Sequence, residues 1–252
     1  MRPNAFDPYL PLNELKPFGP NIWIVDGPEI AMDFPLGMKV PFPTRMVVVR
    51  LQDGRIWVHS PIEPTPHLCE RLRDLGDVAY LVAPNSIHYW FLPEWAEAFP
   101  QAQCYVAPGV LERAEGRKTM PPATLLAGEA PPEWGGQFDQ VVIEGPVVSE
   151  VIFHHRESQC VIIVDMIENF EPDRINNVFW RVGGKLAGVL DPDGKAPADY
   201  RRTFSARLEQ VGAALSQVIG WQPERAVMAH GRPYTHNAKA ELERSFRWAV
   251  KA

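Results

Sequence analysis

The spacing of apolar residues divides the chain into two stretches of the same design. In the first, IWIVDG (22–27), RMVVVRL (45–51) and RIWVHS (55–60) are short runs rich in β-branched and aromatic residues, which suit a pleated, half-buried surface. Asp53-Gly54 separates the last two runs and predicts a tight hairpin, so the opening is antiparallel. The period then lengthens. TPHLCERLRDLG begins with Thr65 as a helix cap, places Leu68, Leu72 and Leu75 at helical spacing and stops at Gly76. VAYLVAP, LPEWAEAFP and QCYVAP follow as strand, helix and strand, the rhythm of a sheet with crossover helices.

The second stretch repeats this order. QVVIEG, EVIFHH and CVIIVD predict three strands, the last two joined by the polar turn RESQ. Helices over 173–188 and 199–220, a short strand ERAVMAHG and a closing amphipathic helix NAKAELERSFRWAV come next. Two β-then-α halves predict an α/β fold, specifically an αββα sandwich: two mixed sheets packed face to face with helices outside, in one domain over 1–252. The stretch 107–137, rich in Pro, Gly and Ala, reads as a loop excursion. PFPT (41–44) and PIEPTP (61–66) read as irregular connections.

Composition removes several classes of function. Hydrophobic residues at 46% and charged ones at 22% describe an ordinary globular chain and exclude disorder. A net charge of -6 with no basic cluster argues against a nucleic-acid partner. No run approaches roughly 18 uninterrupted apolar residues, and MRPNAFDPYLPLNELKPFG lacks the apolar core of a signal peptide, so no membrane partner is expected. Cys69, Cys104 and Cys160 are odd in number and far apart, with no CxxC spacing. They read as passive thiols in a reducing compartment, which makes the cytoplasm the expected location. A small-molecule ligand remains the expected partner.

Three reactive side chains stand where strands end: His88 after YLVAP, Asp165 at the end of CVIIVD and His230 at the end of AVMAH. Such positions combine rigid support with access. Two imidazoles and a carboxylate meeting on one rim form an ordinary ligand set for zinc, iron or manganese. His59 and Ser60 end RIWVHS, and His59 could reach the same rim; no Gly-x-Ser-x-Gly elbow surrounds Ser60.

The element order, the three-strand run ending in Asp165, and AHGRP before the last helix resemble the metallo-β-lactamase fold, in particular its divergent DUF4336 branch. The resemblance runs from about residue 17 to 250 and is most specific at VAPNSIHYWFLPEWAEAFPQA, IIVDMIENF and VMAHG. It implies a His-x-His-x-Asp-His motif after the strand, and register against Phe99-Pro100 places His88 on its last histidine. The other motif positions then fall on Ala83, Asn85 and Ile87, and where a further histidine is expected, IEGPVVSE offers only Glu144 and Glu150. By this resemblance His88, Asp165 and His230 are the ligands of the second of two metals, and no ligand unique to the first survives.

Two outcomes follow. The trio holds one divalent ion, with Asn85, His59 and Tyr89 in the adjoining pocket, and the protein is a single-metal hydrolase that activates water. Otherwise the trio is a hydrogen-bonded remnant and the protein is a ligand-binding, non-catalytic member of the fold. The loss of a whole metal site inclines the sequence reading to the second outcome, with no cofactor certain.

Overall fold

The computed structural model describes residues 5–33, 39–115 and 119–250. The first stretch of the chain builds a seven-stranded sheet whose strands lie in sequence order: β1 (Lys16–Gly19), β2 (Ile22–Asp33), β3 (Lys39–Arg50), β4 (Ile56–His59), β5 (Val78–Ala83), β6 (Gln103–Val106) and β7 (Ala123–Leu125). β1 to β4 pair antiparallel, with the turn at Gly54 (φ +85°) joining β3 to β4. From β4 onward the pairing is parallel, because α1 (Pro66–Leu75), α2 (Leu92–Ala98) and α3 (Val110–Ala114) return the chain between successive strands. Thr65 Oγ1 accepts the Leu68 amide at 3.2 Å, the cap expected for α1.

The second stretch builds a four-stranded sheet in the order β11 (Arg225–Val227), β10 (Cys160–Ile162), β9 (Glu150–His155), β8 (Phe138–Ile143). β8, β9 and β10 are antiparallel neighbours, and β11 joins β10 in parallel, so both sheets are mixed. Alternation along these strands divides their side chains between two cores. Val151, Phe153, Cys160 and Ile162 face the first sheet, while Ile152, Val161 and Ile163 lie beneath Val211, Leu215 and Val218 of α6 (Leu208–Gly220) and Leu242 of α7 (Ala238–Ser245). Between the sheets Trp57 meets Phe138 at 4.7 Å and Phe153 edge-on at 5.1 Å between centroids. Such ring pairs contribute about 1 kcal/mol each beyond their burial. This is the αββα sandwich expected from the pattern.

Some elements differ from the sequence reading. PFPT lies inside β3, paired with β2 through Pro41↔Ala31 and Phe42↔Ile30, rather than in a loop. This extension lies beyond the Val47–Arg50 span that pairs with β4, so it has a neighbour on one side only. Pro41 and Pro43, two residues apart, therefore face the same edge, where a missing N–H breaks no ladder. The stretch 107–137 carries α3 and the edge strand β7, and it buries Trp134 completely. The single helix expected over 199–220 is broken into α5 (Ala198–Thr203), a 3-10 turn (Ser205–Arg207) and α6. At the break the Thr203 hydroxyl donates to the Tyr200 carbonyl at 2.7 Å, giving the backbone an alternative to continued helix. Helix over 173–188 narrows to α4 (Val178–Ala187) after a 3-10 turn at Pro172–Arg174. Cys69, Cys104 and Cys160 are buried free thiols. Among the described residues no helix is long and apolar enough to cross a membrane.

Candidate metal centre

The strand ends of the two sheets meet along one rim of the sandwich. His88 follows β5, Asp165 follows β10 and His230 follows β11. One ligand atom from each lies within 4.8 Å of the others. His88 Nε2 is 3.2 Å and His230 Nε2 3.4 Å from the same oxygen, Asp165 Oδ1.

Each imidazole is held from behind. His88 Nδ1 lies 2.7 Å from Ser60 Oγ, and His230 Nδ1 lies 2.8 Å from the Pro43 carbonyl oxygen. The β3 extension thus supplies the group that orients His230, and the residue just after β4 the group that orients His88. The chain on both sides of His230 is pinned as well. Arg45, buried on β3, binds Asp26 Oδ1 at 2.7 Å and donates to the carbonyls of Met228 (2.9 Å) and Gly231 (2.7 Å). Gly231 has φ +89°, and a Cβ there would stand 2.1 Å from the Asn169 carbonyl oxygen, so only glycine allows that close pass.

The donor arrangement fits one cation. A carbonyl can only accept, so His230 donates Nδ1–H to Pro43 and carries its lone pair on Nε2. That lone pair faces the Asp165 carboxylate at 3.4 Å, acceptor against acceptor. Burial lowers the pKa of His230, keeping the ring neutral against the opposing pull of the carboxylate. Burial also pushes the Asp165 carboxyl up, but the charge of His88, the foremost of the opposing causes, holds the group below the usual carboxylate range. Ligand bonds of about 2.0–2.2 Å bring tetrahedral donors about 3.3 Å apart, close to the 3.2 and 3.4 Å measured here. A protein oxygen on the distal nitrogen of each histidine is the usual support for such a ligand.

The other half of the rim is filled differently. Asn85, fully buried, donates Nδ2 to Asp165 Oδ2 at 2.7 Å, while its Oδ1 accepts the Ile87 and His88 amides, both at 2.8 Å. Glu150 accepts the amides of Val164, Asp165 and Met166 at 2.9, 2.9 and 3.1 Å. Burial and the neighbouring Asp165 charge push the Glu150 pKa up to about 8 despite those three donors. Glu168 is buried beside the centre, and burial followed by the charges of Asp165, Asp199 and Glu150 raises it well above the ordinary value. Glu150 cannot act as a metal ligand without leaving its three amide partners.

Two cavities flank the trio and share Met32, Ile87, His88 and His230 in their walls. The larger, about 300 Å³, is walled mainly by apolar groups such as Phe42, Phe170, Trp180 and Val189, and it reaches Asp165 and Glu168. The smaller, about 200 Å³, is bounded by Ser60, Tyr89, Arg45 and Arg113.

Of the residues singled out in the sequence, the fold brings together His88, Asp165 and His230, with Asn85 bonded to them and Tyr89 in the smaller cavity. His59, expected at the rim, instead lies between the sheets, stacked on Trp57 at 5.4 Å and edge-on to Phe153 at 5.6 Å, and it lines neither cavity. Alternation along β4 turns Trp57 and His59 to the same inner face. The left-handed turn at Ser60 (φ 53°) then brings the hydroxyl rather than the imidazole to His88. Ser60, Pro43 and Glu150 were the residues sequence reasoning undervalued. A carboxylate opening the wholly apolar run VIF was a usable signal, because a buried Glu there needs donors. A carbonyl at Pro43 leaves no trace in side-chain pattern.

Comparison with known proteins agrees with this architecture. The domain of unknown function DUF4336 matches residues 21–179, and the chain belongs to that family. It also has the metallo-β-lactamase fold. A metallo-β-lactamase from Hirschia baltica superposes with a TM-score of 0.58 at 11% identity, over 95% of this chain and 98% of that one. The metallo-β-lactamase FIM-1 from Pseudomonas aeruginosa, in its mono-zinc form, gives 0.57 at 10% identity over 94% of both chains. A fragment of the diflavin flavoprotein A 5 from Nostoc sp. PCC 7120 gives 0.52 at 11% identity, over 94% and 96%. No curated protein matches the chain.

Proposed function

We propose that this protein is a single-metal hydrolase that takes an apolar acyl substrate. The observation that carries the reading is the convergence of His88 Nε2, His230 Nε2 and Asp165 Oδ1, with both distal imidazole nitrogens held by protein oxygens. A divalent ion bound there supplies a Lewis acid and an activated water at neutral pH. The chain's own residues do the rest. Pro43 and Ser60 fix the rings, and Asn85 holds the second oxygen of Asp165 so that the first points at the centre. The larger cavity excludes water around an acyl chain, and Glu168, whose pKa burial raises, is the acid available on that wall to a departing oxygen or sulfur.

Metal analysis of protein purified without chelator tests this. About one equivalent of a divalent metal is expected in the wild type, lost in His88→Ala and His230→Ala together with chelator-sensitive cleavage of medium-chain esters. Substoichiometric metal that neither substitution changes refutes it.

A second reading, ligand binding without turnover, is favoured by Ile87 at the position where the resemblance places a water-activating aspartate. Ligand-induced thermal stabilisation with no ester or thioester cleavage in metal-loaded protein supports that reading. Turnover abolished by chelator removes it.

A further inference from the structure

The smaller cavity holds two polar groups that the hydrolase reading does not use. Arg113, on α3, is half-buried in its wall, and its guanidinium makes no ion pair or side-chain hydrogen bond with any described residue. In a chain of net charge -6 a cation left without a carboxylate is out of keeping with its surroundings. Tyr89, 2% exposed, lines the same cavity, and its hydroxyl has no partner among the described residues. A buried hydroxyl without a partner forfeits its hydrogen bonds to water. The cavity's other arginine, Arg45, is already committed to Asp26 and two carbonyls.

We propose that the smaller cavity is a carboxylate-binding subsite, in which Arg113 and Tyr89 take the anionic end of a ligand whose apolar body lies in the larger cavity. One planar guanidinium with one hydroxyl matches a single carboxylate, whereas a phosphate dianion calls for more cationic donors. Both cavities share His88 and His230, so an elongated ligand lying in both crosses the candidate metal centre. The substrate class is therefore a carboxylate-ended chain with its hydrolysable bond between the apolar body and the anionic end. That identification of the bond rests on the proposed hydrolase reading; the binding of the carboxylate does not.

The test measures dissociation constants of octanoate and 1-octanol by calorimetry on the full-length chain, first freed of metal by chelator and then with one equivalent of zinc. In the metal-free protein octanoate binds about tenfold tighter than 1-octanol. Arg113→Met abolishes that preference and leaves 1-octanol binding unchanged, and Tyr89→Phe reduces it. Equal affinities in the metal-free wild type, or no measurable octanoate binding, overturn the subsite. So does a preference that appears only with zinc and survives Arg113→Met, because the carboxylate then sits on the metal; that result leaves the hydrolase reading standing. Conversely, an Arg113-dependent preference in protein that takes up no zinc supports the subsite and ends the hydrolase reading. Tighter binding of octyl phosphate than of octanoate overturns the carboxylate assignment.

Discussion

The two halves of the rim have been treated differently. On one side His88, Asp165 and His230 present three converging donors, and each ring is oriented by a protein oxygen, Ser60 Oγ behind His88 and the Pro43 carbonyl behind His230. On the other side stand Ala83, Asn85 and Ile87, on which the resemblance places two histidines and an aspartate, together with Glu150, and both Asn85 and Glu150 face protein partners. A vacated ligand position inside a sandwich cannot simply be left polar, because unpaired buried groups are expensive. Asn85 and Glu150 fill the space by accepting backbone amides, and Ile87 by adding apolar surface. The filled half is thus held by protein partners alone, while the other half presents three converging donors.

The largest effect that tests this contrast is on the filled half. Glu150→Ala leaves three buried amides without an acceptor, for an expected loss of about 4 kcal/mol in urea unfolding of metal-free protein. Glu150→Gln keeps one acceptor and loses less. A loss below about 1 kcal/mol in the alanine variant would show that the filled half does not hold the fold together.

His59 gives the next effect, from the core beneath the rim. Burial and then the charge of His88 lower its pKa from 6.5 to about 3. As pH falls below 6.5 the unfolded chain takes up the proton first, so stability present above 6.5 is lost progressively toward pH 3. Between pH 6.5 and 5 this one group accounts for about 2 kcal/mol of acid destabilisation. In His59→Leu the loss over that interval, read from urea curves at the two pH values, should be smaller by that amount. An equal loss in both proteins would place the acid sensitivity elsewhere.

The smallest effect sharpens the contrast on the retained half. Ser60→Ala removes the oxygen behind His88 and should weaken zinc about tenfold, measured by competition with a chelating dye. Metal-free stability should change far less than in Glu150→Ala. Unchanged zinc affinity would mean that Ser60 does not orient the ring.

Pattern alone carried most of the architecture. Period-two runs and helical leucine spacing located the strands, the Asp53-Gly54 hairpin, the capped helix α1 and the doubled β-then-α order, because these depend on local propensity and on which face is buried. Strand-end position and family register also brought His88, Asp165 and His230 together in advance. What the sequence could not decide depends on contacts between distant segments. Whether PFPT is loop or strand turns on which neighbour lies beside it, and whether His59 or Ser60 meets His88 turns on one left-handed residue. The partners of His230 and of Glu150 are backbone groups contributed by other segments. Every residue carries such groups, so no side-chain pattern marks them, and only the packed fold selects which of them face the site.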